Sequence, residues 1–492
     1  MKSRSNLILL TLCFFWISIF SYFLFRKQAS NDVGSYLVLN GAVSCFFFAT
    51  IAGLDLITRK NISVIQIYCF GSFLRIAMGG MYAGVIINQN YDYMLMVSDH
   101  LPIRYMPHAL MLMEIGAASF IFGALATESK NKISSKDYFH FPSESSIFLF
   151  AIIGWACYFF EVAYETSFGV LGTVLRTLPR TAIFLYSLLA FFRTARIYIY
   201  YALIAIILFI EFYLSRSSAM RERFAFILLP ITLAYVMEFC RRWRTAKKPY
   251  SHPSGHGSFL PKKRKLLIYF TIVIILLFNL LVIYPAGTLV KKNKTETIDT
   301  AIVKVVQVSL VDMGAIHKFP DQGIFSLAHR LSLIVVSPAI ILELMNQSVR
   351  IEHDPIQIVL AGFIPRIMWQ GKPIISKGGW FQELISPFAN RDSGTSIAMT
   401  ATGELYWAYG YLGVLIGMFV LGGYCNLLWH QLEFKQLRNP FIIVAVIHIT
   451  QECIRSFEGE FSSPLSLLLL LGLMSLLYNK LFITKSSHSL RA

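Results

Sequence analysis

Residues 6–25 read NLILLTLCFFWISIFSYFLF, a run without one charged side chain. At 1.5 Å per residue a helix of that length extends about 30 Å, the thickness of the hydrocarbon core of a bilayer. The run is apolar on every face, so it does not fit a transmembrane barrel strand, in which lipid-facing and lumen-facing residues alternate. Residues 266–284 repeat the pattern. Arg26 and Lys27 follow the first run where a secretory leader would carry small residues for cleavage, so this run is expected to remain as the first span.

The rest of the chain agrees. Of 492 residues, 56% are hydrophobic and 14% charged, and the mean hydropathy is +0.59, which excludes a water-soluble globular domain. The expected fold class is all-α: a polytopic integral membrane protein with about twelve transmembrane helices and one large external loop. The seven cysteines fall almost entirely in or beside apolar runs and give neither a disulfide framework nor a metal-binding spacing. A net charge of +17 without a helix-turn-helix, RNA-binding or zinc-finger pattern points to anionic lipid, not to nucleic acid.

Spans are expected at 6–25, 35–57, 63–88, 108–127, 144–162, 181–193, 197–213, 224–240, 266–287, 402–429, 440–454 and 464–481. Lysine and arginine gather in every second connection: Arg59 and Lys60, Lys130 to Lys136, Arg193 and Arg196, the stretch from Arg241 to Lys265, Lys435 and Arg438, and the tail with Lys480, Lys485 and Arg491. The positive-inside rule makes these connections, and both termini, cytoplasmic. Three regions follow: 1–287, with about nine spans and a flexible basic loop at 241–265; 288–400, a large external loop with amphipathic pieces such as 324–344; and 401–492, with about three more spans. No internal repeat is evident, which speaks against the paired halves of many transporters.

Cations that stay on the outer side despite that bias need a reason. Arg176, Arg180, Arg216, Arg221 and Arg223 are expected in short external connections, and Arg330, Arg350, Arg366 and Arg391 in the long loop. Guanidinium binds phosphate bidentately and stays charged at any accessible pH, so such a set suits a diphosphate at the outer lipid boundary. Pro365 and Pro373 bracket Arg366, Trp369 and Lys372, which stiffens a cationic loop and gives it an interfacial aromatic anchor. Inside the bilayer, Arg75 and Glu114 fall at similar depth on consecutive spans and are expected to neutralise one another. His448 and Glu452, four residues apart, share a helix face.

Pro365-Arg366-x-x-Trp369-x-x-Lys372-Pro373, followed by Gly403-Glu404-x-Tyr406-x-x-x-Gly410-x-x-Gly413, resembles the bacterial O-antigen and oligosaccharide repeat-unit polymerases. Ser215-Arg216-Ser217 resembles the Ser-Arg segment of that family without its flanking glycines, and Arg330 stands where the family often has an arginine before a long-loop helix. As topology the resemblance covers the whole chain; its motifs cover about 214–413.

The resemblance implies a glycosyltransferase of the bacterial inner membrane that joins polyprenyl-diphosphate-linked repeat units at the outer face, with no cofactor, no metal and no nucleic acid. A chain-length regulator is an implied partner. A hydroxyl of one lipid-linked unit attacks the anomeric carbon of the growing chain and polyprenyl diphosphate leaves, its developing charge met by preorganised cations. Arg216, Arg221, Arg330, Arg366 and Lys372, with Trp369, are the candidates for diphosphate and glycan binding. A general base is also required, and sidedness admits His329, Asp321, Glu404 and Glu165, of which His329 and Glu404 are preferred. The cation of Arg330 lowers the proton affinity of His329, which suits a neutral base near pH 7. Two neighbouring readings share much of this pattern: an O-antigen ligase, which differs in its acceptor, and a lipid-linked oligosaccharide flippase.

Overall fold

The computed structural model describes residues 2–27, 32–59, 62–88, 103–128, 142–163, 170–192, 196–215, 228–238, 334–351, 354–364, 369, 380–381, 384, 398–433 and 439–480. Among the described residues every regular element is helical. Seven helical runs among the described residues are long and apolar enough to cross a membrane, and five shorter apolar helices accompany them. Trp16, Phe20, Leu39 and Phe46 each stand more than half exposed. Water penalises such surfaces and lipid does not, so the protein is a helical membrane protein.

The elements are α1 (Lys2–Lys27), α2 (Val33–Arg59), α3 (Val64–Ser72), α4 (Met78–Asn88), α5 (Met106–Ala126), α6 (Glu144–Ala163), α7 (Val170–Phe192) and α8 (Ile197–Ser215). They continue with α9 (Leu228–Glu238), α10 (Ile334–Asn346), α11 (Pro355–Gly362), α12 (Ala401–Glu433), α13 (Pro440–Ile454) and α14 (Ser462–Tyr478). A π-helical turn, Phe73–Ala77, joins α3 to α4. Several starts follow from local chemistry. Asp354 accepts the Ile356 amide at 2.7 Å, Asn439 accepts the Phe441 amide at 3.1 Å, and each is followed by a proline whose missing N–H would have had no helical partner.

The core forms around α5, which is buried over nearly its whole length. Small residues let α12 approach it: a Cβ on Gly123 would run into the Phe419 carbonyl, and one on Gly422 into the Phe120 carbonyl. Asn426 fixes the register by donating to the Ala124 carbonyl at 2.9 Å.

α12 is two helices. At Gly410 the backbone takes φ 66° and ψ −154°, a conformation open essentially to glycine alone. The chain then doubles back, since Gly417 lies against the Leu405 side chain and Gly413 against the Leu405 carbonyl. In one straight helix residues 405 and 417 would be about 18 Å apart. The short arm, 401–409, therefore climbs along α5 and the long arm, 411–433, descends beside it. The span expected at 402–429 is corrected accordingly: its first part is a re-entrant arm.

Two further expectations change. α7 begins at Val170, ahead of the span placed at 181–193, so Arg176 and Arg180 are helix residues and not part of an external connection. Apolar residues precede and follow both, and Pro179 does not end the helix. The stretch 324–344 was expected to be amphipathic, yet in its described part residues 334–342 are all buried, with Pro338 and Ile341 against Gly403. The run 266–287 and the basic loop 241–265 lie outside the described residues.

The chain divides into two compact units, one of 1–146, 152–178 and 329–492, the other of 147–151 and 179–328. In the second, Tyr186 stacks near Tyr200 with centroids 6.1 Å apart, Phe191 meets Tyr235, and Arg180 reaches Glu211 at 3.8 Å. In the first, Arg176 pairs with Glu161 at 3.0 Å. The site described next lies within the first unit.

Candidate functional site

The short arm of α12 begins deep in the bundle. Thr402 lies against Gly116, ten residues into α5 from its first residue and so about 15 Å below that end. At this level a second interruption meets it. α13 and α14 form a hairpin tied at its base, where Asn439 donates to the Ser475 carbonyl at 3.2 Å and to Asn479 at 3.0 Å; its tip is residues 455–461.

The two interruptions join through their backbones. The Thr400 amide donates to the Glu458 carbonyl at 3.1 Å and the Ala401 amide to the Phe457 carbonyl at 3.0 Å. Thr400, Ser456 and Phe457 all have φ between 52° and 62°. Side chains other than glycine, and a β-branched threonine above all, occupy that region only when their surroundings impose it.

Charged and polar side chains hold the junction. Arg75, in the π turn, donates to Glu458 at 2.6 Å. Glu404 is fully buried and accepts both the backbone amide and the hydroxyl of Ser462, at 3.1 and 3.0 Å. Ser456 bonds Ser72 at 3.3 Å, and Arg455 reaches Glu452 at 3.5 Å. Irregular backbone at membrane depth persists only where protein or a lined cavity satisfies it, and these bonds supply that satisfaction.

The expected Arg75–Glu114 pair is thus corrected. Arg75 turns to Glu458, a partner distant in sequence. Glu114 accepts instead from Asn40, at 3.1 Å, and from the Ser44 hydroxyl, both on α2. The π turn changes the angular phase of the helix at Arg75, which residue counting along a regular helix cannot anticipate.

At its other end the short arm reaches the Gly410 turn, where four rings gather. The imidazole of His108, at the start of α5, lies between Tyr22 of α1 (centroids 5.2 Å apart, planes 30° apart) and Tyr411 (5.9 Å, 23°). Tyr406 stands edge-on to both His108 and Tyr411, at 5.8 and 5.0 Å. His108 Nε2 and the Tyr411 hydroxyl share a hydrogen bond of 2.5 Å. Arg26, at the end of α1, is near enough for its charge to act on Tyr22, His108 and Tyr411. Beside this group Tyr409 donates to Asp354 at 2.5 Å, and Trp407 packs on Trp380 and Phe381 while its indole N–H donates to the Val349 carbonyl at 3.1 Å.

Of the residues selected from sequence, Glu404 stands in the junction, bound inward to Ser462, and Trp369 is exposed. His329, Arg216, Arg221, Arg330, Arg366 and Lys372 lie outside the described residues, as do Asp321 and Glu165. His108, Tyr22, Tyr411 and Glu458 were not singled out. Two signals were available for them: glycines framing tyrosines at 403–413, and the polar stretch RSFEGE at 455–460 between two apolar runs.

No family model, no curated protein and no solved structure matches this chain.

Proposed function

We propose that the protein polymerises polyprenyl-diphosphate-linked oligosaccharide repeat units, forming O-antigen or a related surface polysaccharide at the outer face of the bacterial inner membrane. In this reading the chain has about twelve spans, both termini are cytoplasmic, and the end of the bundle that carries His108 faces outward. The observation that carries the reading is the behaviour of residues 403–413, the motif of the family resemblance that lies wholly within the described residues. They do not simply begin a span. They fold as a re-entrant arm and the turn that ends it, with Glu404 anchored in a buried polar junction and Tyr406 and Tyr411, on either side of the turn, in an aromatic group with a histidine.

In the proposed reaction the acceptor hydroxyl attacks the anomeric carbon of the growing chain, a glycosidic bond forms, and the bond from that carbon to the diphosphate oxygen breaks. The cations Arg216, Arg330 and Arg366, with Arg221 and Lys372, meet the charge that accumulates on the leaving diphosphate, and Trp369 lies against the glycan. The activated linkage supplies the driving force. His329 is the preferred proton acceptor, because Glu404 is committed to Ser462. A ligase would share this donor chemistry. A flippase would instead need its cations along an internal cavity, and the largely buried Arg59 and Arg75 are tied to acidic partners.

The test is genetic. A deletion strain of the source bacterium should carry single repeat units on its lipopolysaccharide core, and a plasmid copy bearing Arg366→Ala should fail to restore the ladder while inserting normally. Full-length ladders in the deletion strain overturn the reading. Polymer stranded on the carrier lipid would assign the ligase role, and absence of any external repeat would assign the flippase.

A further inference from the structure

The junction around Arg75 is closed by its own bonds, whereas the ring cluster at the Gly410 turn keeps surface. Tyr409 and Tyr411 are exposed, and His108, Tyr22 and Tyr406 are partly so. Interfacial tyrosines of membrane proteins ordinarily sit with their rings at the level of the headgroups. Here they meet an imidazole and one another, Tyr411 with its plane near that of His108 and Tyr406 edge-on to both, and a helix is reversed at Gly410 where Tyr406 and Tyr411 come together.

We propose that Tyr22, Tyr406, Tyr411 and His108 form a saccharide-binding subsite at the outer end of α5, resting on the polymerase reading above and specifying which part of its substrate this end takes. Three features fit a sugar ring. Flat aromatic faces accept the apolar C–H side of a pyranose. The tyrosine hydroxyls and the imidazole offer neutral donors and acceptors to its hydroxyls. The bond from His108 to Tyr411 fixes the ring plane, so that little freedom is lost on binding. A diphosphate or an anionic headgroup calls for several converging cations. Among the described residues one guanidinium, Arg26, acts on these rings, and the carboxylate of Asp354, which repels anions, holds the adjoining Tyr409. His108 is in this view a positioning residue for Tyr411.

The experiment uses the full chain in lipid nanodiscs and two probes: polyprenyl-diphosphate-linked oligosaccharide extracted from membranes of the source bacterium, and polyprenyl diphosphate without sugar. The glycan-bearing probe should protect Tyr22, Tyr406 and Tyr411 from hydroxyl-radical oxidation, and the bare probe should not. Tyr411→Ala and Tyr406→Ala should each weaken binding of the glycan-bearing probe by about tenfold and leave the bare probe unchanged. Tyr411→Phe keeps the ring and should lose only a fewfold, while His108→Gln should weaken glycan binding less than Tyr411→Ala. Equal protection by both probes, or alanine variants that bind the glycan as the wild type does, overturns the proposal. Should the alanine variants not fold, wild-type protection decides alone. No outcome depends on polymer being made, so a failed subsite leaves the deletion-strain result standing, and full ladders in that strain leave the subsite standing.

Discussion

Arg59 and Arg75 are both largely buried arginines bonded to a carboxylate, yet they hold two different kinds of backbone. Arg59 closes the last turn of α2, where Asp55 takes its Nε at 2.5 Å and Glu128 lies 3.4 Å away. Asp55 also receives Ser63 at 2.5 Å and Gln66 at 2.9 Å, so one carboxylate ties the end of α2 to the start of α3. Every helix at that end is regular. Arg75 stands in a π turn and reaches a segment where Thr400, Ser456 and Phe457 sit in the left-handed region. Ionic pairing at the first end caps complete helices, while at the second it replaces part of the backbone ladder that two broken helices lack. The stability of the fold should therefore depend unequally on the two arginines' partners.

The largest expected effect is at Glu458. Its pair with Arg75 is about one-tenth exposed on both sides, and Glu458→Ala removes the carboxylate while the guanidinium stays within the bundle. We expect a loss of about 3 kcal/mol in unfolding of the purified protein in mixed micelles. Glu458→Gln, which keeps an acceptor, should recover part of it. A loss below about 1 kcal/mol would mean that the Thr400 and Ala401 backbone bonds hold the junction by themselves.

Gly410 gives the next effect, and Gly53 is its control. Neither has an atom within 4 Å of where a Cβ would stand, so neither substitution by alanine meets a clash. They differ only in backbone. Gly410→Ala must adopt a conformation that alanine avoids and should cost roughly 1–3 kcal/mol. Gly53, inside regular α2, should become more stable as alanine by up to about 1 kcal/mol. Shifts of the same sign in thermal unfolding would show that the reversal of α12 does not require glycine.

How far the sequence reaches can be judged from these same residues. The apolar runs declared the membrane class and most of the long helices, because hydrocarbon demands length and lack of charge and both are written locally. Arg75 and Glu114 are legible as ionisable groups within spans, but their partners are not. The pairing of Arg75 depends on a π turn and on a partner 383 positions away, and neither leaves a periodic trace. Hydropathy treats arginine as an end signal and so places Arg176 and Arg180 in a loop, whereas acidic groups on other helices, Glu161 and Glu211, let α7 carry them. The sequence of 403–413 suggests the start of a span, and the structure gives it another shape. Glycine and tyrosine in an apolar run show that the chain can turn there, and only the packing of Gly413 and Gly417 on Leu405 shows that it does.

The smallest effect belongs to the regular end and completes the contrast. Glu128 is about a quarter exposed and bridges Arg59 at 3.4 Å and Arg4 at 3.8 Å. Removing it strands neither cation, because Arg59 keeps Asp55 and Arg4 keeps the Leu125 carbonyl at 2.5 Å. Glu128→Ala should then cost less than about 1 kcal/mol, and that cost should shrink further as salt is raised, since water and ions reach this pair. The Glu458→Ala loss should barely respond to the same salt series. A salt-sensitive Glu458 would mean that the junction is open to solvent and that its irregular backbone lines a wet cavity, which would move the buried break into the class of substrate-accessible surface.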